Sequence, residues 1–390
     1  MKSKNNKVVV RIAPSPTGNL HMGTARTALF NFLFARHNGG KFLIRIEDTD
    51  TERSDKKYER DIFEGLEWLG ITSDEIPLRQ SERNEVYKKY AQKLVDAGVA
   101  QESDGAVVLK NQKKEILFED AIRGEIKFED VAEEIVIMKS DGTPTYNFAV
   151  VVDDYESGIT HIIRGEDHIS NTPRQVVIME TLGFPRPVYV HLPMILGPDR
   201  SKLSKRHGAV SLLEYRDKGY LPQAMVNYLA LLGWNPGTDQ EIFIMEELIK
   251  EFSLEKIQKS GAIFDEKKLE WVNREHLKRL PPEEQKALLL EKIKDEDYIK
   301  SALTLDISKI CWKDTGIEDT KKHLERVREL VGDDDAIMKY AEKAGRGSVL
   351  WPLRYALSGL EVSPDPFTLL EILGRDESLK RIEKAIKLLE

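Results

Sequence analysis

Along the first hundred residues, short apolar runs alternate with amphipathic stretches, the pattern of repeated βαβ units on a parallel sheet. Val8-Val-Val-Arg-Ile12 reads as the first strand. Met22 to His37 follows as a helix carrying Leu29, Phe30, Leu33 and Phe34 on one face, and Asn38-Gly39-Gly40 stops it. Lys41-Phe-Leu-Ile-Arg-Ile46 is apolar enough to be a strand buried on both faces. Its carboxyl end delivers Glu47-Asp-Thr-Asp50 to the sheet edge, where doubly wound sheets bind their ligands.

Between about residues 100 and 144 the pattern changes to short β runs, Val107 to Leu109, Ile116 to Phe118, Ile126 to Phe128 and Ile135 to Met138, separated by Asp-Gly turns. This reads as a small β-rich insertion between two halves of one nucleotide-binding fold. Parallel-sheet segments are expected to resume over Tyr146–Val152, Thr160–Arg164 and Tyr189–Leu192, closing the sheet near residue 210. Beyond it the pattern is helical, broken at Gly233-Trp-Asn-Pro-Gly237 and ending in an apolar stripe at Leu379, Ile382 and Ile386. The expected class is α/β: a Rossmann-type domain over 1–210 containing the 100–144 insertion, a helical domain over 211–279 and a second over 280–390.

A length of 390 residues accommodates two or three domains, and 41% hydrophobic with 32% charged residues is ordinary for a soluble protein. No stretch has signal-peptide or membrane-spanning length, so the expected location is the cytoplasm. The single cysteine, Cys311, excludes an internal disulfide and any multi-cysteine zinc site, and is expected to be a buried apolar filler. A net charge of −8 argues against a protein that coats nucleic acid, although a folded RNA is met by a local basic face rather than by the total. Three clusters are candidates for such a face: Lys202, Lys205 and Arg206; Lys267, Lys268, Arg274, Lys278 and Arg279; and Lys321, Lys322, Arg326 and Arg328. The plainer alternative for each is a solvated surface with interspersed acids.

Two segments carry candidate chemistry. Arg11-Ile-Ala-Pro-Ser-Pro-Thr-Gly-Asn-Leu-His21 joins the first strand to the helix that opens at Met22-Gly-Thr24, and a helix N-terminus attracts phosphate through its free amides and its dipole. Lys202-Leu-Ser-Lys-Arg206 follows a Gly-Pro-Asp turn and is a cationic loop. Together they suggest a nucleoside triphosphate held from two sides. The simpler readings are a helix-capping imidazole for His21 and a solvated turn for the lysine loop.

Taken with Arg45-Ile-Glu-Asp-Thr-Asp50, Thr143-Pro-Thr-Tyr146 with Val151-Val-Asp-Asp154, and Ile163-Arg-Gly-Glu-Asp-His168, all in this order, these segments resemble bacterial glutamyl-tRNA synthetases of class I. The resemblance reaches the end of the chain, where Trp351-Pro-Leu-Arg-Tyr-Ala-Leu-Ser-Gly359 is similar to the family's anticodon-binding region. It implies a class I Rossmann-type catalytic domain, an acceptor-binding insertion at 100–144, a stem-contact domain at 211–279 and an anticodon-binding domain at 280–390. The implied activity is ATP-dependent formation of glutamyl-adenylate, followed by transfer of glutamate to the 3′-terminal adenosine of tRNA(Glu), with Mg2+ accompanying ATP.

The resemblance also implies roles for individual residues. His21, Thr24, Lys202, Ser204 and Lys205 are the expected catalytic set, and His21, Gly23, Asp167, Met194, Ile195 and Lys205 the ATP-binding set. Arg11, Ala13, Ser15, Glu47, Tyr146 and Arg164 are expected to bind glutamate. The chemistry agrees independently: attack of a carboxylate on the α-phosphate needs positioning and stabilised negative charge, and guanidinium groups match carboxylates in a planar, bidentate way. A purely structural reading makes Arg11 a strand-end cation with Glu47 as its ion-pair partner. Three departures stand out. Val99-Ala-Gln-Glu-Ser-Asp-Gly105 runs straight into the hairpins with no Cys/His zinc knob, so no protein-bound zinc is expected; the helical region between Leu280 and Gly347 is short; and Val150 stands where some relatives have asparagine. A monomer is expected. Two other readings stay open at this point: glutamylation of a modified anticodon base, by paralogues that lack the C-terminal helical region, and a non-catalytic synthetase-derived tRNA-binding module.

Overall fold

The computed structural model describes residues 7–390 except 51, 204–210, 282, 285–287, 289–304, 314 and 362. Ser204, Lys205 and Arg206, three of the five residues of the cationic loop, therefore lie outside the described residues. The chain divides into two compact units, Met1–Arg279 and Leu280–Glu390.

The first unit is organised by strands β1 (Val9–Ile12), β2 (Lys41–Ile46), β3 (Leu78–Arg79), β4 (Ala100–Ser103), β5 (Ala106–Lys110), β6 (Ile116–Asp120), β7 (Gly124–Phe128), β8 (Glu134–Met138), β9 (His161–Gly165), β10 (Val188–Leu192), β11 (Ile195–Leu196) and β12 (Ala262–Ile263). β1, β2 and β3 pair in parallel, with Val9 opposite Lys41 and Arg45 opposite Leu78. β9 and β10 pair in parallel over five residues, and β6 joins β10 through Tyr189 and Asp120. The two sheets meet where the Thr160 amide donates to the Val9 carbonyl at 2.9 Å, which sets β9 beside β1. The carboxyl ends of β1, β2 and β9 thus open on one edge, with Arg11, Glu47 and Arg164 close to it. Helices α1 (Met22–His37), α2 (Lys56–Trp68), α3 (Asn84–Asp96), α4 (Tyr146–Glu156) and α5 (Thr172–Thr181) connect and cover these strands.

Three expectations are corrected. Tyr146–Val152, expected as a strand, is the opening of α4. Its run of β-branched residues is buried all round, from Phe148 to Asp154, and such a run has no polar period to distinguish a core helix from a core strand. The 100–144 segment is not a separate β module: β4, β5 and β8 form their own antiparallel sheet, but the β6–β7 hairpin extends the central sheet through β10. Helix α1 likewise exceeds its expected amphipathic face, being buried almost without interruption from Met22 to Ala35.

In the second unit, helices at Ile317–Leu330, Asp334–Ala344, Arg346–Ser358 and Pro366–Leu388 close on a core of Leu324, Val327, Ile337, Leu353, Leu369 and Ile382. Leu379 packs against that core and Ile386 lies in it, as the apolar stripe requires. Cys311 is partly buried, packed against this core rather than buried within it. The basic clusters are largely answered by their own acids: Lys268 pairs with Glu241, Lys278 with Glu275, Lys322 with Asp319 and Arg326 with Glu329.

Candidate active site

At the sheet edge a buried cluster of charges is built around Asp154, which α4 carries one residue beyond the buried Asp153. Asp154 accepts Arg11 Nε at 2.9 Å and Arg11 Nη2 at 3.2 Å through its two oxygens, and also Arg45 Nη1 at 2.5 Å. Arg45 Nη2 reaches Glu47 Oε1 at 3.0 Å. All of these side chains are 7% exposed or less. Burial alone would push the Asp154 carboxyl up, but Arg11 and Arg45 outweigh it and hold the group down, to about 2. For Glu47 the balance is reversed, and burial raises its pKa despite Arg45. Glu47 is therefore tied to Arg45, and Arg11 to Asp154, rather than the two to each other.

Arg164, on β9, differs from its neighbours. Its Nε donates to His191 Nε2 at 3.1 Å, Nη1 to Gln175 Oε1 at 2.8 Å and Nη2 to Thr172 Oγ1 at 2.8 Å, with a longer contact of 3.4 Å to the His168 carbonyl. Every partner is neutral. Among the described residues no carboxylate pairs with this buried cation, and burial lowers its pKa. Tyr146 stands between the groups: its hydroxyl lies 3.0 Å from His168 Nδ1 and feels the charges of Glu47, Arg164, Arg11 and Arg45. Burial, and then Arg164, push the His168 imidazole down to about 4, so it is neutral at physiological pH. Arg11 and Arg45 are thus met directly by Asp154 and Glu47, whereas Arg164 has no carboxylate in contact with it among the described residues. Ala13 and Ser15 lie on the loop leaving β1, Ser15 exposed and Ala13 partly so.

A second group forms the mouth. His21 is the N-cap of α1: its Nδ1 accepts from the amides of Gly23 at 3.2 Å and Thr24 at 3.4 Å, and its Nε2 lies 3.1 Å from Thr24 Oγ1. The capping reading is thus realised. Gly23 permits it, because a Cβ there would stand 3.1 Å from the imidazole Cε1. Surrounding protein takes water from the ring although its outer face is open, and with Lys202 nearby the His21 pKa is lowered. Lys202 Nζ meets Asp167 Oδ2 at 3.3 Å, closing the mouth from the other side.

Between the two groups runs the chain at Pro193–Ile195. The Met194 amide donates to Glu166 Oε1 at 2.7 Å, and the carbonyl of the same peptide unit, that of Pro193, accepts Arg26 Nη2 at 2.5 Å. Glu166 is in turn paired with Arg123. The Met194 carbonyl accepts from the Ala262 amide at 3.2 Å and that of Ile195 from Leu203 at 3.0 Å, each with a second lone pair remaining.

Sequence reasoning missed several of these groups. Arg45 lay inside a quoted motif without a role, and its strand position, two residues before Glu47, was the available signal. Asp154 likewise lay inside a quoted motif, Val151-Val-Asp-Asp154, without a role. His191, Thr172, Gln175, Arg26 and Glu166 converge from four elements, which no spacing along the chain reveals. Val150 is buried on α4, one turn beyond Tyr146.

Comparison with known proteins places this geometry. Residues 7–106 and 100–271 match the catalytic domain of class I tRNA synthetases (E and Q), and residues 313–386 match an anticodon binding domain. The chain is 40% identical to glutamate–tRNA ligase 1 of Caldanaerobacter subterraneus subsp. tengcongensis over 99% of its own length and 98% of that protein. It is likewise 40% identical to the glutamate–tRNA ligase of Thermodesulfovibrio yellowstonii, over 97% and 99%. The first alignment spans 474 positions, so at least 84 of them face a gap in this 390-residue chain. Among solved structures, a glutamate tRNA ligase from Elizabethkingia meningosepticum, in complex with its amino acid, superposes with a TM-score of 0.77 at 30% identity, covering 99% of this chain and all of that one. The sequence motifs, the parallel-sheet edge with its buried arginines and these full-length similarities lead to one assignment: the chain belongs to the glutamate–tRNA ligases, within the class I synthetases.

Proposed function

We propose that this chain activates L-glutamate at the Arg164 cluster and transfers it to tRNA(Glu) in two steps. An oxygen of the glutamate α-carboxylate attacks the α-phosphorus of ATP, the bond to the bridging oxygen breaks, and pyrophosphate leaves with that electron pair. A hydroxyl of the terminal adenosine then attacks the acyl carbon, and AMP leaves. No side-chain nucleophile takes part; the protein positions the reactants and stabilises charge. ATP enters as its Mg2+ complex, with the metal held mainly by phosphates and water.

The observation that carries this reading is the Arg164 guanidinium, held only by neutral groups. Glutamate brings two carboxylates and one ammonium to a buried cluster in which this guanidinium has no carboxylate in direct contact. Arg164 and Arg11 face its carboxylates, Glu47 accepts from the ammonium, and the Tyr146 hydroxyl, Ala13 and Ser15 complete the pocket. Glutamine, with only one carboxylate, would leave one of the two arginines facing a neutral amide, which opposes its selection. At the mouth, His21, Gly23 and Thr24 on α1, with Lys202 across from them, hold the phosphates, a role also assigned to Ser204 and Lys205 from their motif alone; Asp167 and the main chain of Met194 and Ile195 take the rest of the nucleotide. Residues 1–210 serve as the catalytic domain, 100–144 meet the acceptor end, 211–279 meet the stem and 280–390 the anticodon. The anticodon-domain match favours this over glutamylation of an anticodon base. The enzyme is proposed to act as a cytoplasmic monomer.

The test is to charge total tRNA with labelled glutamate and sequence the acylated species. ATP-dependent charging of tRNA(Glu), with a large rise in KM for glutamate in Arg164→Ala, is the expected result. Charging unaffected by Arg164→Ala overturns the pocket, and equal charging of tRNA(Gln) overturns selectivity for tRNA(Glu).

A further inference from the structure

Arg164 is itself aimed by groups that reach into the β-rich segment. For His191 Nε2 to accept the Arg164 Nε proton at 3.1 Å, the imidazole must carry its single proton on Nδ1. Nδ1 faces Asp120 Oδ2 at 2.7 Å, and the same oxygen accepts the His191 amide at 3.0 Å. The other Asp120 oxygen accepts the amides of Ile122 and Arg123, each at 3.0 Å. An oxygen surrounded by donors is an ionised acceptor, and it selects the Nδ1–H tautomer. Both side chains are fully buried. Tyr189 stacks on the ring at 6.1 Å, Phe118 tilts against it at 6.2 Å, and the Thr172 hydroxyl lies 3.3 Å from Nε2. The charges that bear on the imidazole are those of Asp120, Arg164 and Arg123. A second proton, on Nε2, would set two N–H groups against each other.

We propose that Asp120 and His191 are positioning residues for amino-acid selection: Asp120 fixes the His191 tautomer, and His191 Nε2 turns the Arg164 guanidinium so that its terminal nitrogens face the substrate carboxylate. A guanidinium has five N–H groups. Nε spends one on His191, Nη1 one on Gln175 and Nη2 one on Thr172. One remains on Nη1, and one on Nη2 once its 3.4 Å contact to His168 is given up, the fork a carboxylate accepts in bidentate fashion. Neither Asp120 nor His191 touches the substrate.

The inference rests on the reading of Arg164 as a glutamate ligand, and the test separates the two. His191→Asn keeps a side-chain amide near the Nδ1 position, against Asp120, but leaves Arg164 Nε without its acceptor. His191→Gln extends to the Nε2 position and restores that acceptor. Both remove the ring, so a packing role alone gives both the same phenotype. In tRNA-charging assays on the full chain, His191→Asn is expected to raise KM for glutamate about tenfold, the loss of one hydrogen bond to a charged group. KM for ATP and kcat should stay within about twofold, and His191→Gln should recover most of the loss. Should His191→Asn fail to fold, Asp120→Asn, which removes the charge that selects the tautomer, is expected to show the same shift confined to glutamate. Equal behaviour of the two His191 variants, or a matching rise in KM for ATP, overturns the relay. If Arg164→Ala leaves KM for glutamate unchanged, the pocket fails and the relay with it; if Arg164→Ala raises it while the two His191 variants behave alike, only the relay fails.

Discussion

Asp154→Asn removes one negative charge and little volume from the centre of the proposed glutamate pocket. Asp154 accepts three guanidinium N–H groups, from Arg11 and Arg45, at 2.9, 3.2 and 2.5 Å, and all three side chains are 6% exposed or less. Losing one member of a buried ion pair costs about 3–5 kcal/mol, because the partner stays buried without compensation. Here Arg11 loses its carboxylate partner while Arg45 keeps Glu47, and the asparagine amide presents N–H to an arginine that also presents N–H. For a unit of this size each kcal/mol is worth about 2–4 °C in Tm, so the melting of the first unit should fall by roughly 6–20 °C. Calorimetry on the full chain suits this, since two compact units need not melt together. The loss should persist at 0.5 M salt, because buried pairs are little screened. A fall of under 2 °C, or recovery in salt, would refute the view of Asp154 as a structural counter-charge.

Acid should destabilise the protein well above the carboxylate range. His21, His161, His168, His191, His276 and His323 all have lowered pKa values, principally through burial, with His168 near 4. Between the ordinary value of 6.5 and about 4 the unfolded chain therefore binds more protons than the native one, and stability falls as pH falls; Glu47, with a raised pKa, opposes this as a single group. Tm measured from pH 7.5 to 5 should decline, and a flat or rising profile contradicts it. Glu166→Ala, which frees the Met194 amide and strands Arg123, should raise KM for ATP several-fold with a smaller effect on KM for glutamate, read by steady-state charging.

How much of this was legible depended on whether a function sits in a contiguous segment. The strand–loop–helix run from Val8 to His37 declares itself locally: a β-branched strand, a Pro/Gly loop, an imidazole at the cap and a helix stopped at Asn38-Gly39. The Lys41–Ile46 strand and the sheet-edge position of Glu47 follow from the same local rules. Tyr146–Val152 failed because its helical nature comes from burial on every side, which erases the period that marks a helix. Asp154, the hub of the cluster, lies two residues past that segment, and its partners Arg11 and Arg45 stand 143 and 109 positions away. His191 and Asp120 were beyond sequence reading for another reason: they are 71 positions apart, on strands brought side by side only when the hairpin joins the central sheet.

The five residues from Arg164 to His168 show why one strand end can serve every part of the proposed reaction. Arg164, still within β9, turns to the buried charge cluster, where a rigid strand fixes it against His191, Gln175 and Thr172. Glu166 holds the Met194 amide, Asp167 meets Lys202 at the mouth, and His168 lies against the Tyr146 hydroxyl. A strand reverses side-chain direction at each residue, and the turn of 3-10 helix that follows, Glu166–Asn171, spreads successive side chains around its axis. In the proposed reaction, recognition of charge deep in the pocket thus falls to the strand, where geometry is stiff, while the nucleotide side falls to the turn. A one-residue insertion between Arg164 and Glu166 would therefore do more harm than loss of either side chain, since it would shift the amino-acid and nucleotide contacts out of register with each other at once.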